Sequence, residues 1–292
     1  MTSAGTARRL WALGEPYHAV TYFADEARSA AGEAGLSGFW ATYFALRAAP
    51  LGPVGPAVVT AAFYNFAPSF VARRVPGVWS AVTPEQALRV RLAAVDAVVR
   101  RVLGEWASSA EAAEAAELAR IAAEAVDLPG RPLAAANAAV AEPDEPHLAL
   151  WQALTTLREH RGDGHNAALL GREVSGVGAH VLVAAAGRVD RAWLQKARGW
   201  GDDAWAAAAD ELARRGWLDG SGPDDVELSA EGLAMVTAIE ADTDRLALGP
   251  WRTLGDTRCD RLAELLVPLR RAVVAAGLFP DRNPIGVPPD AD

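Results

Sequence analysis

Cysteine and lysine are almost absent from this chain of 292 residues. Cys259 is the only cysteine, which excludes internal disulfides and any zinc or iron–sulfur site built from several thiolates. Lys196 is the only lysine, so arginine carries nearly all of the positive charge. Acidic residues number 37 against 28 basic ones, and the net charge of −9 excludes a strongly basic protein that wraps DNA.

Long apolar runs are also missing. No stretch reaches the roughly 18 unbroken apolar residues of a membrane-spanning helix, and the N-terminal segment lacks the apolar stretch of a secretory leader. We therefore expect a cytoplasmic protein with no membrane partner. Hydrophobic residues make up 51% of the chain and charged residues 22%, a globular composition with enough length for two domains.

Short segments recur in the same order in the two halves of the chain. The matched pairs are Glu-Pro-Tyr-His at 15–18 with Glu-Pro-His at 145–147, Leu-Ser-Gly at 36–38 with Val-Ser-Gly at 174–176, and Thr-Pro-Glu at 83–85 with Ser-Ala-Glu at 229–231. Each match is short, but their shared order along the chain predicts an internal duplication. We assign residues 1–140 to an N-terminal half and residues 141–292 to a C-terminal half.

The C-terminal half has the order of elements found in a winged helix. Apolar residues at helical spacing predict a helix over 146–161, which we expect to break at Gly162-Asp163-Gly164. Further helices are predicted over 176–186, 191–197 and 204–215, with Asp190 as the N-cap of the second and Gly216 ending the third. Two short strands on either side of a polar loop at 220–225 then form a wing, and a long helix follows from Ser229.

The N-terminal half fits the same plan in a degenerate form. Helices are predicted over 36–49 and 53–62, and residues 64–74 occupy the place of the DNA-recognition helix. Pro68 lies inside that third segment, so we expect the segment to be kinked or split, since proline in a helix interior costs about 3 kcal/mol. The predicted fold is mainly α, with two duplicated winged-helix-like halves and small β-wings.

Four segments carry a resemblance to a known family: EPYHAVTYF, FYNFAP, EPHLALW and LREHRGDGHNAALL. Together with the winged-helix end of the chain, they resemble an actinobacterial helix-turn-helix family described as SalK-like. The resemblance covers essentially the whole chain, and LREHRGDGH is its most specific segment. It implies a tandem helix-turn-helix fold and carries no particular activity with it.

The predicted recognition helix of the C-terminal half has an unfavourable charge for contacting DNA. It begins with Asp202 and Asp203, and its first part has no Arg, Asn or Gln for contacts to base edges. The loop of the wing adds Asp224 and Asp225, which would repel phosphate. We therefore expect DNA to be a disfavoured partner. A ligand-responsive transcription regulator and a protein-interaction scaffold both stay open as alternatives.

Three ionisable side chains surround the predicted break. His160, Asp163 and His165 are residue types that act as general acids and bases or bind Zn²⁺ or Fe²⁺, and haem ligation is a further option. The alternative is a corner between two helices in which Asp163 caps the second. His180 lies in an apolar segment and is predicted to be a core histidine with one hydrogen-bond partner.

A cluster of aromatic residues and one amide in the N-terminal half predicts either a core or a small-molecule pocket. Its members are Trp40, Tyr43, Phe44, Phe63, Tyr64, Asn65, Phe66 and Phe70, with Arg47 one turn after Tyr43. Arg47 and Asn65 are polar and need partners if they are buried.

Our hypothesis is a cavity between the two halves that binds a small molecule and can support catalysis. The predicted ligand-binding residues are His18, His147, Arg47, Tyr64, Asn65 and Trp151. His165 is expected at the same cavity. His18 and His147 follow Glu-Pro in the two halves, and they either meet in this cavity or pack against their own helices. The sequence specifies no ligand, reaction or oligomeric state.

Overall fold

The structure is a computed structural model that describes residues 2–220, 226–279 and 287. Within these residues the chain forms sixteen α-helices, two short 3-10 helices and one two-stranded antiparallel sheet. The prediction of a mainly α fold is confirmed. None of the described helices combines the length and apolar character needed to cross a bilayer.

The N-terminal half contains the first nine of these helices. They are α1 (Ala4–Phe23), α2 (Asp25–Glu33), α3 (Phe39–Ala48), α4 (Pro56–Phe63), α5 (Pro68–Ala72), α6 (Val78–Ala81), α7 (Pro84–Leu103), α8 (Ala110–Glu124) and α9 (Pro132–Ala138). The two 3-10 helices cover Ala49–Leu51 and Gly104–Ser108. The segment predicted to be kinked or split is split. Residues 64–67 precede α5, which begins at Pro68, because proline is tolerated in the first turn of a helix.

The C-terminal half contains the remaining helices and the sheet. They are α10 (Pro146–Leu170), α11 (Gly176–Ala185), α12 (Arg191–Arg198), α13 (Asp202–Arg214), β1 (Leu218–Gly220), β2 (Val226–Leu228), α14 (Ala230–Leu246), α15 (Leu248–Leu254) and α16 (Asp256–Ala275). From α11 to α14 the order is three helices, a hairpin and a fourth helix, as predicted from the sequence. The hairpin pairs Leu218 with Leu228. Asp224 and Asp225, at the predicted tip of the wing, lie outside the described residues.

Local signals in the sequence set several of these helix ends. The Asp190 carboxylate accepts a hydrogen bond from the backbone N–H of Trp193 at 2.9 Å and caps α12, as predicted. Gly216 follows α13 with a φ of +74°, a conformation that favours glycine. The hydroxyl of Ser229 accepts from the N–H of Gly232 at 3.0 Å and donates to the carbonyl of Gly216 at 2.6 Å, so one side chain caps α14 and ties it to the end of α13.

The predicted break at Gly162-Asp163-Gly164 is wrong, because α10 runs through it without interruption. Gly164 instead allows close packing. A Cβ on Gly164 would lie 2.9 Å from Nη1 of Arg131 and 3.2 Å from the side chain of Leu246 in α14. The helix is therefore kept by tertiary contacts that outweigh the weak helix propensity of glycine, which is about 1 kcal/mol worse than that of alanine.

Helix α10 is the central packing element of the chain. It contacts α1, α7, α8, α9 and α14. Its N-terminal part lies in the largest hydrophobic core, which contains Trp151 together with Leu13 and Tyr17 of α1 and Leu266 of α16. A second core forms within the N-terminal half and a third within the C-terminal half, around Trp205. The largest core thus combines residues of both halves.

Candidate ligand pocket

A cavity of about 560 Å³ lies where the two halves meet. Its walls come from α1, α3 and the end of α4 in the N-terminal half and from α10, α12 and α14 in the C-terminal half. The volume falls within the range of roughly 300–1,000 Å³ that is usual for small-molecule sites. Nine of the 22 wall residues carry aromatic rings: Trp11, Tyr22, Phe23, Phe39, Trp40, Tyr43, Phe63, Phe66 and Trp193.

The aromatic cluster predicted from the sequence supplies part of this wall and part of the core behind it. Trp40, Tyr43 and Phe66 line the cavity, whereas Phe44 is fully buried behind them. The ring of Trp40 meets that of Phe66 edge to face, with centroids 5.8 Å apart. Tyr64 turns away from the cavity, donates its hydroxyl hydrogen to the carbonyl of Val174, and packs against the core of the C-terminal half.

Arg47, which was expected to need a hydrogen-bond partner if buried, has two such partners, Glu159 and Tyr43. Its guanidinium donates to both carboxylate oxygens of Glu159 at 2.9 Å, and Nη1 donates to the Tyr43 hydroxyl at 2.9 Å. Arg158 bridges Glu159 at 3.0 Å and Glu15 at 3.2 Å. Burial acts to raise the pKa of Glu159, but Arg47 and Arg158 outweigh it and hold that pKa well below its usual range.

A second ionic group lies at the cavity wall next to Arg161, one turn farther along α10. Arg161 donates to Asp244 at 3.0 Å and to Glu240 at 3.3 Å, and Arg8 donates to the same two carboxylates at 2.7 and 2.9 Å. The guanidinium carbon of Arg161 also lies 3.9 Å from the centroid of the Trp11 ring. Two cations and two anions therefore balance in this group, as they do among Glu15, Arg158, Glu159 and Arg47.

Arg198, the last residue of α12, differs from the other arginines of the cavity. No carboxylate of the described residues forms an ion pair with it, and its Nε is buried without a hydrogen-bond partner. Its guanidinium carbon lies 4.7 Å from the ring centroid of Phe66 and within about 6 Å of those of Trp40 and Trp193. Burial lowers the pKa of Arg198 to about 10, so it is still a cation at neutral pH.

His165 contributes a hydrogen-bond acceptor to the wall. The Thr243 hydroxyl donates to the carbonyl of Ile239 at 2.7 Å, so Nδ1 of His165 is the donor in its 2.9 Å contact with that hydroxyl. Burial lowers the pKa of His165, which keeps the ring neutral at pH 7. Its Nε2 then carries a lone pair, and no described residue bonds to it.

His160 and Asp163 do not join His165 at the cavity. The Asp163 carboxylate accepts hydrogen bonds from the backbone N–H groups of Leu133 and Ala134 at 3.0 and 2.9 Å, at the start of α9. His160 lines a separate void of about 20 Å³, and its Nε2 is buried without a partner. Across the part of the chain that the structure describes, no three His, Cys, Asp or Glu side chains are grouped as metal ligands would be.

The predicted meeting of His18, His147 and His165 in one cavity is also wrong. His18 donates through Nδ1 to Thr155 at 2.9 Å and stacks on Trp151 with ring centroids 6.1 Å apart, inside the largest core. His147 bonds to the carbonyl of Ala107 at 3.1 Å and contacts Asp96 at 2.7 Å. His18, His147 and Trp151 are not among the described wall residues of the cavity. Of the residues that the sequence predicted there, Arg47, Asn65 and His165 line it.

His180 is the core histidine that the sequence predicted. Its Nε2 donates to the carbonyl of Asn65 at 3.1 Å, and the same carbonyl accepts from Nε1 of Trp200 at 3.0 Å. These two hydrogen bonds hold the backbone of Asn65 in place, and Asn65 lines the cavity.

Sequence reasoning missed most of the C-terminal wall of the cavity. Arg158, Arg161 and His165 are spaced by three and four residues, which places them on one face of a helix. This pattern becomes visible only if α10 is continuous, and the expected break at the glycines hid it. Trp11, Glu15 and Tyr22 form a similar face on α1.

The two arginines at the end of α13 have partners within the chain. Arg214 pairs with Glu211, one turn earlier on the same helix. Arg215 donates to the carbonyls of Arg172 and Glu173 and lies over the ring of Trp217 at 4.0 Å. At the other end of α13, Asp202 accepts from Arg191 at 3.1 Å, and both Asp202 and Asp203 are exposed.

Comparisons with known proteins bear on the family of the chain. Neither the curated proteins nor the solved structures contain a significant match. A family model described as a helix-turn-helix family matches residues 7–280, which is nearly the whole length. The chain therefore belongs to this helix-turn-helix family.

Proposed function

We propose that the chain binds a small organic molecule in the cavity between its two halves. The observation that carries the proposal is an aromatic cavity of about 560 Å³ whose polar wall atoms are only partly satisfied by the protein. Small-molecule sites combine a mostly apolar wall with a few well-placed polar groups. Among the described residues, four wall side chains have polar atoms without a hydrogen-bond partner: the Tyr22 hydroxyl, the Asn65 amide, Nε2 of His165, and Nε and Nη2 of Arg198.

Filling the cavity tests this proposal. Gly162 lies on α10 at the cavity wall, and a Cβ there would meet only the ends of the Glu159 and Arg158 side chains, at 3.5 and 3.8 Å. Gly162→Leu should therefore fold and occupy ligand space. Gly249 is an exposed helical glycine with no atom within 4 Å of an added Cβ, so Gly249→Leu is the matched control.

The measurement is native mass spectrometry of protein purified from its own cells, followed by a thermal-shift screen of a metabolite library. We expect an added mass or a stabilising hit in the wild type and in Gly249→Leu, and its loss in Gly162→Leu. If the wild type carries no added mass and no compound stabilises it, the proposal is wrong. A hit that Gly162→Leu retains would place binding elsewhere on the chain and would equally contradict it.

A ligand-responsive transcription regulator is the second candidate, and the family match over residues 7–280 favours it. Under this function, α13 would enter a DNA groove and the cavity ligand would alter its position. Because Asp203 is exposed at the N-terminus of α13, Asp203→Asn should raise the affinity for DNA by removing repulsion from phosphate. Asp210→Asn, farther along the same helix, is the control, and equal effects of the two substitutions would contradict this docking.

We also propose that the two halves arose by duplication. Two helices of the N-terminal half begin in a similar way to their counterparts in the C-terminal half, which supports this origin. Thr83 caps α7 and Ser229 caps α14, each through its side-chain oxygen. Ser175 caps α11, and Ser37 lies just before α3, although Gly38 takes the cap position there. We further propose that the chain belongs to the narrower actinobacterial SalK-like group. The four segments quoted above support this assignment.

A further inference from the structure

We infer that the cavity takes an aromatic carboxylate, and that Arg198 holds the carboxylate group. The inference rests on the proposed function, because it names the chemical class of the ligand for the same cavity. Three observations lead to it: the balance of charges in the wall, the geometry of the guanidinium, and the rings that surround it.

Among the residues that the structure describes, the charges of the wall cancel except at Arg198. Arg47 and Arg158 are matched by Glu159 and Glu15 in one ionic group. Arg161 and Arg8 are matched by Glu240 and Asp244 in the other, as their ion pairs show. Burial keeps His165 neutral at pH 7. One positive charge is therefore left over, which calls for one negative charge on the ligand.

The form of that charge favours a carboxylate over a phosphate. A guanidinium presents a planar fork of N–H donors that matches the two oxygens of a carboxylate. Arg198 uses Nη1 in a 3.3 Å contact with the carbonyl of Ala197, its Nε is buried, and no described residue bonds to Nη2, so the fork meets a ligand through its Nη end. A phosphate near pH 7 carries up to two charges and binds best to several cations or N–H groups, and the cavity has one free cation among its described residues.

The surroundings of Arg198 favour an aromatic body for the ligand. Phe66, Trp40 and Trp193 all place their ring centroids within about 6 Å of the guanidinium carbon. A carboxylate bound to the fork would bring the rest of its molecule against the aromatic wall, where flat rings stack favourably. The lone pair on Nε2 of His165 is available to a hydroxyl or N–H group on the same molecule.

Matched pairs of probes test the inference on the full-length protein. Benzoate, naphthoate and anthracenecarboxylate are each compared with their neutral carboxamide, with quenching of tryptophan fluorescence as the readout of binding. The variants are Arg198→Gln, Arg198→Lys, and Lys196→Gln as a control that removes an exposed cation from the same helix. Circular dichroism and thermal unfolding establish that each variant is folded.

We expect the wild type and Lys196→Gln to bind at least one carboxylate about 10- to 100-fold more tightly than its carboxamide, the usual effect of a charged hydrogen-bonded pair. Arg198→Gln should remove this preference and leave the affinity for the carboxamide unchanged. Arg198→Lys keeps the charge without the fork and should keep only part of the preference. If Arg198→Gln does not fold, Arg198→Lys decides alone.

Each contrary result has a distinct meaning. Equal binding of carboxylate and carboxamide by the wild type would overturn the inference and leave the proposed pocket standing. A preference that survives in Arg198→Gln, or is undiminished in Arg198→Lys, would show that another group holds the anion, and the assignment of Arg198 would fail. Absence of binding by every probe at about millimolar concentration would overturn the inference together with an aromatic-binding pocket.

Discussion

Arg47 of α3 and Glu159 of α10 form an ion pair through two parallel hydrogen bonds of 2.9 Å, although 112 residues separate them in the sequence. The Glu159 carboxylate is 1% exposed, and Arg47 also lies 4.3 Å from the ring centroid of Phe63. The pair joins the aromatic helix of the N-terminal half to the central helix at the edge of the cavity. It is thus both a link between the halves and a fixed part of the wall.

Removing the charge of Glu159 should destabilise the fold strongly. In Glu159→Gln the guanidiniums of Arg47 and Arg158 lose their shared counter-ion while they stay buried, and breaking a buried pair in this way typically costs about 3–5 kcal/mol. The free energy of unfolding in urea measures the effect. Glu142→Gln, at an exposed loop position, is the control and should change stability by less than about 0.5 kcal/mol. A loss in Glu159→Gln as small as that of the control would show that the pair contributes little.

Gly176 provides a second test, at the contact between α11 and the N-terminal half. A Cβ at this position would lie 2.4 Å from the carbonyl oxygen of Tyr64 and 3.0 Å from Cα of Asn65, and both are backbone atoms. Gly176→Ala should therefore cost about 1–3 kcal/mol, as overpacking usually does. Gly32→Ala, at an exposed position of α2 where an added Cβ meets nothing within 4 Å, should instead gain up to about 1 kcal/mol from helix propensity. Thermal unfolding compares the two, and equal melting temperatures would contradict the close approach of α11 to Tyr64.

Local signals in the sequence predicted helices α11 to α14 and the hairpin between them well. Asp190, Gly216 and Ser229 act on backbone groups within a few residues, so their effects are visible without the tertiary structure. Asp163, in contrast, acts on a helix that is distant in the sequence. It was expected to cap a helix in its own segment, and it does bond to the first N–H groups of a helix, but that helix is α9, which begins about 30 residues earlier in the chain.

The candidate site was predictable only in part, because many of its contacts join residues that are distant in the sequence. The aromatic cluster and Arg47 lie close together in the sequence, and the structure places Trp40, Tyr43, Phe63 and Arg47 in one wall. The charge balance that isolates Arg198 depends on pairs such as Arg161 with Asp244, which are 83 residues apart. No sequence spacing reveals which arginines will find a carboxylate, because that depends on how α10, α12 and α14 pack.

The pH dependence of stability should show the titration of His180. Burial lowers its pKa to about 3, whereas the ordinary value is 6.5. Because the unfolded chain binds this proton more readily, the stability contribution is complete above about pH 6.5 and is lost as the pH falls toward 3, by at most about 1.4 kcal/mol per pH unit. His180→Gln retains an N–H donor for the carbonyl of Asn65 and does not titrate.

The slope of unfolding free energy against pH between 4 and 6 is the quantity to compare. His18, His160 and His165 also have lowered pKa values, so the wild-type slope reflects several groups. His180→Gln should reduce that slope by the equivalent of about one bound proton, or about 1.4 kcal/mol per pH unit. The contributions of the other histidines to the slope should not change. An unchanged slope would mean that His180 takes up its proton as easily in the folded protein as in the unfolded chain.

Asp163 should have the opposite pH dependence. Burial raises its pKa to about 6 even though the N–H groups of Ala134 and Leu133 favour the ionised form. The folded protein then binds this proton more tightly, so the stability contribution is complete below about pH 3.8 and is lost as the pH rises through 6. Asp163→Asn keeps an acceptor oxygen for the two N–H groups and carries no charge. It should match the wild type near pH 4 and exceed its unfolding free energy by up to a few kcal/mol at pH 8. A variant that is less stable than the wild type at pH 8 would show that the two hydrogen bonds to the charged carboxylate outweigh the cost of burying it.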